Sequence, residues 1–331
     1  MSNTQISSNI WFEASAPSNI ALIKYMGKTD TMNNRPTNSS LSWTLNNLRT
    51  FVRIKQNSEL TSDQWQPLKR NDLLPIELSE KGRRKFLDFF AKVKTEFKLT
   101  GFFEIESANN FPSDCGLASS ASSFAALTMV AHQYAGARYL PKELARISQK
   151  GSGSSCRSFF SPWSLWHEQG AEEIQMPIKE LKHMVILCDE TKKAVSSSQA
   201  HVQVLTSDLF KGRPERAAER LQKLITALRK PETEWKNIFQ ICWNEFWDMH
   251  TLFHTSSPAF MYLNGDGFAA LSQILEMWQK DGDGPIVTMD AGSNIHLLFR
   301  MNQPDFYTKY LNHFNSQFNL WTDDGYQNCK D

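Results

Sequence analysis

Four short segments concentrate residue types that could hold or react with an anion. The first, Asn19-Ile20-Ala21-Leu22-Ile23-Lys24-Tyr25-Met26-Gly27-Lys28, ends an apolar run on two lysines placed around a glycine. Two ammonium groups near one strand end can meet a polyphosphate, although a solvated surface is the commoner fate of lysine. The second, Phe111-Pro112-Ser113-Asp114-Cys115-Gly116-Leu117-Ala118-Ser119-Ser120-Ala121, runs a loop into a helix that starts with small hydroxyl residues. A helix N-terminus offers unpaired N–H groups and partial positive charge, which suits phosphate. Gly116 lets the backbone approach an anion and the serines add donors. A plain helix cap at Ser119 explains the same spacing more simply. The third, Lys150-Gly151-Ser152-Gly153-Ser154-Ser155-Cys156-Arg157-Ser158, combines free backbone, hydroxyls and a guanidinium whose planar fork matches a carboxylate or phosphate. Large aromatics follow it directly (Phe159, Phe160, Trp163, Trp166), which ties it to a core rather than to a linker. The fourth, Val287-Thr288-Met289-Asp290-Ala291-Gly292-Ser293-Asn294, closes a buried-strand pattern with an aspartate placed to face a cleft. Taken alone, Asp290 fits an ordinary turn just as well.

These segments need elements to position them. Residues 9–25 read as strand, bend, strand, with Ala16-Pro17-Ser18-Asn19 as the bend. Strands are expected at Thr50–Lys55, Gly101–Ser107, His183–Cys188, Pro285–Met289 and Ile295–Arg300. Phe86, Phe89, Phe90, Val93 and Phe97 recur at helical spacing and predict an amphipathic helix over Ser79–Phe97. Helices are also expected over Ser119–Tyr134, over Pro141–Lys150, across most of 196–280, and near 304–317. Strands and helices mix in an order that indicates an α+β protein. The texture changes near 183–190, and the length of 331 residues suits two domains, 1–185 and 186–331.

Composition narrows the function. Lys plus Arg number 36 and Asp plus Glu 35, a net charge of +1, which gives no global field for nucleic acid or an acidic membrane. The aromatic stretch Trp235–Phe253 holds a single lysine, Lys236, and no further lysine or arginine interleaved among its other rings, so it reads as core or dimer contact, not as a base-stacking surface. His250 and His254 share a helix face, but Thr251 stands where a zinc peptidase needs glutamate, and no metal site is expected there. Five scattered cysteines without a C-x-x-C pair read as reduced thiols. The polar start Met1–Ile10 lacks the apolar stretch of a signal peptide. No apolar run reaches the roughly 18 residues of a membrane helix. A cytoplasmic protein is expected.

Together the segments resemble, in order along the chain, the signatures of the mevalonate diphosphate decarboxylases within the GHMP kinase superfamily. Pro36-Thr37-Asn38-Ser39-Ser40-Leu41-Ser42 and Lys192-Lys193-x-Val195-Ser196-Ser197 match as well. The resemblance implies a two-lobed GHMP kinase fold, with an N-terminal ribosomal-S5-like lobe and a C-terminal ferredoxin-like lobe. It implies ATP and Mg2+ as cofactors, a homodimer, and conversion of mevalonate 5-diphosphate to isopentenyl diphosphate with release of ADP, phosphate and CO2. By the same resemblance, Lys24 lies beside the reacting hydroxyl and carboxylate. Asp290 takes or orients the hydroxyl proton. Arg157 holds the substrate carboxylate from an accessible cleft, so that its replacement is expected to spare the fold. Tyr25, Lys28, Ser152 and Ser154 match substrate-phosphate positions. Gly116, Leu117, Ala118, Ser119 and Ser120 match the ATP-phosphate loop, and Lys192 and Ser196 match a second patch near the nucleotide.

The chain departs from the family pattern in places. Ser113-Asp114-Cys115 replaces small neutral residues, and Asp114 brings negative charge toward the ATP phosphates. Ser123 replaces a glycine, and Ser293 a proline. Met26 replaces a tryptophan, which is expected to alter the wall of the adenine or substrate site. Two rival functions follow. One is a GHMP kinase or decarboxylase acting on mevalonate or mevalonate 5-phosphate. The kinase-only branches usually carry an aspartate within the segment matching Ser152–Ser158 and a glycine run in place of Asp290-Ala291-Gly292-Ser293. The other is a non-catalytic homologue that binds a small molecule.

Overall fold

The computed structural model describes residues 10–112, 119–191 and 193–329. Its first sheet is organised around one long strand, Ser40–Gln56. Phe12–Ile23 runs antiparallel along one edge of it, with Phe12 opposite Ile54 and Ile23 opposite Leu41. The other edge is shared. Phe103–Asn109 pairs with the C-terminal half (Thr50 opposite Asn109) and Trp163–His167 with the N-terminal half (Ser40 opposite Trp166). The bend expected at Ala16–Asn19 is absent, because Phe12–Ile23 is a single strand. The irregularity lies in its partner: opposite Pro17 and Ser18 the register jumps from Arg49 to Leu45. A proline without an N–H can be tolerated where the ladder is already broken.

The helices Glu80–Phe97 and Ser119–Ala135 cover this sheet. Ser79 caps the first by accepting from the Gly82 N–H, and Lys98 ends it in the left-handed conformation. The periodic phenylalanines face inward, where Phe86, Phe89, Phe90 and Val93 pack with Phe103, Ile105 and Phe124.

The second sheet is antiparallel throughout and runs Ile286–Met289, Ile295–Arg300, Leu181–Leu187, Asn319–Thr322, Gly325–Gln327. Leu181–Leu187 belongs wholly to it, so a division after 185 would cut a strand, and the change of sheet comes ahead of Leu181. The helices Arg213–Leu228, Pro231–His254, Gly265–Asp281 and Pro304–Phe314 accompany this half. The aromatic stretch turns inward, with Trp235, Phe239, Phe246 and Phe253 all buried.

One apolar core joins the two sheets. Ile20, Leu22 and Ile23 of the first share it with Val185, Val287 and Leu297 of the second and with Phe246. Each fully buried side chain of this size contributes about 1.5–3 kcal/mol. The hydroxyl of Thr288, which donates to the Ala21 carbonyl at 3.0 Å, adds about 1 kcal/mol. Apolar packing therefore holds the halves together, and the hydrogen bond sets where along Phe12–Ile23 the second sheet docks. That docking brings the ends of two strands from different sheets face to face.

Candidate active site

Lys24 directly follows Phe12–Ile23, and Asp290 directly follows Ile286–Met289. The Lys24 Nζ donates to Asp290 Oδ1 at 2.7 Å. Lys24 is buried, whereas the Asp290 side chain remains 27 % exposed, so the carboxylate is the member of the pair that a ligand can reach. Burial pushes the ammonium pKa down, and Asp290 only partly restores it. Burial pushes the Asp290 carboxyl up most strongly, but the charge and hydrogen bond of Lys24, with His296 and Arg157, together outweigh it and the net direction is down. The Asp290 carboxylate is therefore ionised at neutral pH.

The backbone of both residues is held from behind. The Lys24 N–H donates to Glu245 Oε1 at 2.9 Å, and its carbonyl accepts from Asn38 Nδ2 at 2.9 Å and Arg213 Nη2 at 3.2 Å. The Asp290 carbonyl accepts from the Gly292 N–H at 2.8 Å and from His250 Nε2 at 3.0 Å. Glu245 and Arg213 are fully buried and hydrogen-bonded to each other at 2.5 Å. Arg220 donates to Glu245 at 2.9 Å, and Arg216 to Asp248 at 2.8 Å.

Arg157 lies in the last turn of the short helical segment Gly153–Phe159. Its Nε donates to Asn19 Oδ1 and its Nη1 to Ser40 Oγ, both at 2.9 Å. Asn19 in turn donates to Ser158 Oγ at 2.8 Å, which ties the loop to the first strand. The charge of Arg157 acts on Lys24 and on Asp290, lowering the pKa of each. Arg157 is only 3 % exposed, which corrects the expectation of an accessible cleft. Three packed elements enclose it because it serves as a structural donor as well as a charge. In Arg157→Lys one ammonium cannot replace the fork, and a buried acceptor loses its donor. We expect a stability loss of about 1–3 kcal/mol together with a fall in kcat/KM, measured by urea denaturation and steady-state kinetics.

Tyr25 lies between two rings, edge-on to Trp166 with centroids 4.6 Å apart and stacked on His201 at 4.5 Å. Gly27 has φ +92°, and a Cβ there would lie 2.7 Å from the Phe210 ring, so this turn requires glycine. Its N–H donates to His201 Nδ1 at 3.1 Å. Beyond the turn, Lys28 donates to Asn34 Oδ1 at 2.7 Å. Burial, with the charge of Lys85 second, pushes the Lys28 pKa down to about 8. Lys85 is lowered by burial and by Lys81. Burial likewise pushes His201 down to about 3, and Lys28, Lys85 and Arg157 add to the shift. The charges felt around this turn thus share one sign, the arrangement that an anion neutralises.

Family models match both halves of the chain. The Diphosphomevalonate decarboxylase-like N-terminal domain covers residues 16–176, and the Mevalonate 5-diphosphate decarboxylase C-terminal domain covers 183–329. The chain belongs to the diphosphomevalonate decarboxylase family. The diphosphomevalonate decarboxylase of Debaryomyces hansenii is 33% identical over 310 residues, 85% of this chain and 77% of that protein. Among solved structures, the mevalonate diphosphate decarboxylase from Legionella pneumophila is 41% identical with a TM-score of 0.86, covering 94% of this chain and 100% of that one. A second, described as MDDEF in complex with MVAPP, AMPPCP and magnesium, is 28% identical with a TM-score of 0.82, covering 93% and 94%.

Of the residues that match the pattern of the diphosphomevalonate decarboxylase family, Lys24 and Asp290 are in contact and Tyr25 and Arg157 each interact electrostatically with Asp290, whereas Lys28 lies beyond the Gly27 turn against Asn34. Ser152 and Ser154 sit on the same loop with hydroxyls 3.3 Å apart. Ser119 opens the Ser119–Ala135 helix, whose first turn holds no acidic residue, and Ser120 beside it is exposed. Ser123 returns its hydroxyl to the Ser119 carbonyl at 2.7 Å. Ser196 is exposed and caps the Ser197–Gln203 helix, accepting from the Gln199 N–H. Met26 is 2 % exposed and packs with Phe253, Tyr262 and Ala291, so this departure alters a core rather than a ligand-facing wall. Gly116, Leu117, Ala118 and Lys192 lie outside the described residues, as does the Ser113-Asp114-Cys115 departure.

Sequence reasoning did not find Lys85, His201, Glu245, Arg213 or the role of His250. Lys85 alone carried a usable signal, as a lysine next to the inward face of a helix whose N-terminal turns also hold Lys81, Arg83 and Arg84.

Proposed function

We propose that this protein decarboxylates mevalonate 5-diphosphate with ATP, yielding isopentenyl diphosphate, ADP, phosphate and CO2. The observation that carries the reading is the 2.7 Å Lys24–Asp290 pair beside a turn where Lys28, Lys85 and Arg157 act with one sign of charge. A tertiary alcohol bearing a carboxylate and a diphosphate needs both features. Asp290 accepts the hydrogen bond of the hydroxyl, as base or as orienting group, and Lys24 keeps it ionised. Arg157 meets the carboxylate, and the Lys28 and Lys85 ammonium groups meet the diphosphate. Tyr25, wedged between Trp166 and His201, fixes the turn that presents Lys28.

The start of the Ser119–Ala135 helix, free of acidic side chains, fits nucleotide phosphate. ATP would supply the phosphoryl group that turns the hydroxyl into a leaving group, accompanied by magnesium. Among the described residues no group of three or more His, Cys, Asp or Glu could cage a metal ion, which suits a magnesium carried largely by phosphates. Among the same residues no helix is long and apolar enough to cross a membrane. Cytoplasmic residence and homodimer formation belong to the same proposal.

The charge cluster gives a test of the substrate class. With ATP and magnesium, kcat/KM should rank mevalonate 5-diphosphate above mevalonate 5-phosphate and above mevalonate. The free-enzyme pKa of Lys28 near 8 adds a pH signature. Its charge is present below that value and lost above it, so kcat/KM for the diphosphate should fall as pH rises through about 8, while kcat changes less. Equal kcat/KM for all three acids would contradict the diphosphate assignment.

A further inference from the structure

Lys24 and Asp290 come from different sheets, and nothing in either strand alone sets the distance between them. One helix touches both. Along Pro231–His254, Glu245 takes the Lys24 N–H at 2.9 Å. Five residues further, roughly 7.5 Å along the helix axis, His250 Nε2 meets the Asp290 carbonyl at 3.0 Å. Both side chains are fully buried. A carbonyl only accepts, so the ring proton must sit on Nε2. Burial keeps the imidazole neutral, with its pKa pushed down to about 3. Nδ1 is then an acceptor, buried and with no hydrogen-bond partner. A residue present only to fill the core would not bring a bare nitrogen into it, because an unpaired buried polar atom is costly. The bond to Asp290 is the compensating gain.

We propose that Glu245 and His250 are positioning residues, and that this helix sets the Lys24–Asp290 geometry by holding the backbone of both partners. The inference rests on the decarboxylase reading for the reaction the pair performs, though not for the geometry itself. Glu245 anchors the lysine through a buried ionic cluster and is a poor probe, since its loss endangers the fold. His250 is the better one. In His250→Leu, Asp290 keeps the Gly292 N–H and the core keeps its volume, but the second donor is gone. In His250→Gln, an amide N–H can stand near the former Nε2.

The experiment compares the wild type, His250→Leu and His250→Gln in steady-state kinetics, and follows the Lys24 Nζ titration by NMR with 15N-lysine, assigned by its absence in Lys24→Met. The Leu variant should lose about 10- to 100-fold in kcat with KM values changed by no more than about twofold. Its Lys24 titration should move. The Gln variant should recover kcat to within about threefold and restore the titration. Wild-type kcat in the Leu variant, or equal impairment of Leu and Gln, would overturn the proposal, the latter pointing to packing alone. If the Leu variant does not fold, a Gln variant with normal kcat and titration supports the clamp and an impaired one overturns it. If the wild type releases no CO2, the functional reading fails, and the Lys24 titration in the two variants still decides the clamp.

Discussion

Asp290→Ala should reduce turnover by about 10³-fold or more while nucleotide affinity changes by less than about threefold. The carboxylate is the reachable member of the reacting pair, and its partner is buried. Removing it deletes the acceptor for the substrate hydroxyl and leaves the Lys24 ammonium buried without its nearest counter-charge. Burial already lowers the pKa of Lys24, and without Asp290 nothing opposes that pressure except the more distant Glu245. The variant should therefore hold a Lys24 that is more readily neutral. In the proposed reading nucleotide phosphates meet the start of the Ser119–Ala135 helix, away from Asp290. The sign of the pH dependence follows from the depressed Asp290 pKa. The carboxylate is charged above the ordinary carboxylate range near 4, and its contribution disappears only as pH falls through its lowered value. An acid limb in kcat between pH 5 and 7 would have to come from another group. Equilibrium nucleotide binding and single-turnover product formation check the assignment. A nucleotide affinity that falls as far as turnover would contradict it.

The second large effect concerns stability. Glu245→Ala should cost about 3–5 kcal/mol, because it strips a buried guanidinium of its nearest carboxylate. Arg213 is fully buried, and without Glu245 its remaining carboxylate is Asp248 at 3.5 Å. Arg220 loses one of its two acids, and the Lys24 N–H loses its acceptor. An exposed pair such as Arg84–Glu80, 3.9 Å apart with side chains 76% and 82% exposed, contributes about 0–1 kcal/mol. The contrast lies in the solvent: water replaces a lost surface partner and cannot reach a lost buried one. Against a typical total of about 5–15 kcal/mol, the loss is a large fraction. Urea denaturation should show a lowered midpoint with an unchanged slope, and Glu245→Gln, which keeps an acceptor for Lys24, should lie between wild type and Ala. A loss below about 1 kcal/mol for the Ala variant would show that the cluster is not what anchors Lys24.

These two predictions mark where sequence legibility ends. Lys24, Arg157 and Asp290 each close a short linear pattern (a strand end, a Gly/Ser loop, a strand followed by Ala-Gly) that left a turn or a surface charge equally open, and only the joint, ordered match to the family signatures nominated them. The helix Glu80–Phe97 was readable because its period and its Ser79 cap are local. Glu245 and Arg213 are separated by 32 positions on two helices, and a charge on an amphipathic helix looks solvated until the helices are docked. His250 had no local signal for a partner 40 residues away. Lys85 carried a signal only through the neighbouring Lys81, Arg83 and Arg84, and nothing local distinguishes such a basic helix turn from a solvated face. Arg157 was misjudged because glycine and serine suggest exposure, whereas here Asn19 and Ser40 close over the loop. The bend expected at Pro17 was placed in the wrong strand, because a register break can be absorbed by the partner, which sequence order does not reveal.

The central claim is tested most directly by following carboxyl-labelled mevalonate 5-diphosphate with ATP and magnesium, counting labelled CO2 against ADP and phosphate. The account predicts CO2, ADP and phosphate in equal amounts, all abolished in Asp290→Ala. ATP consumption with the label retained in a phosphorylated acid would make the protein a kinase. No ATP turnover with mevalonate 5-diphosphate, mevalonate 5-phosphate or mevalonate would contradict an enzymatic role for the Lys24–Asp290 pair.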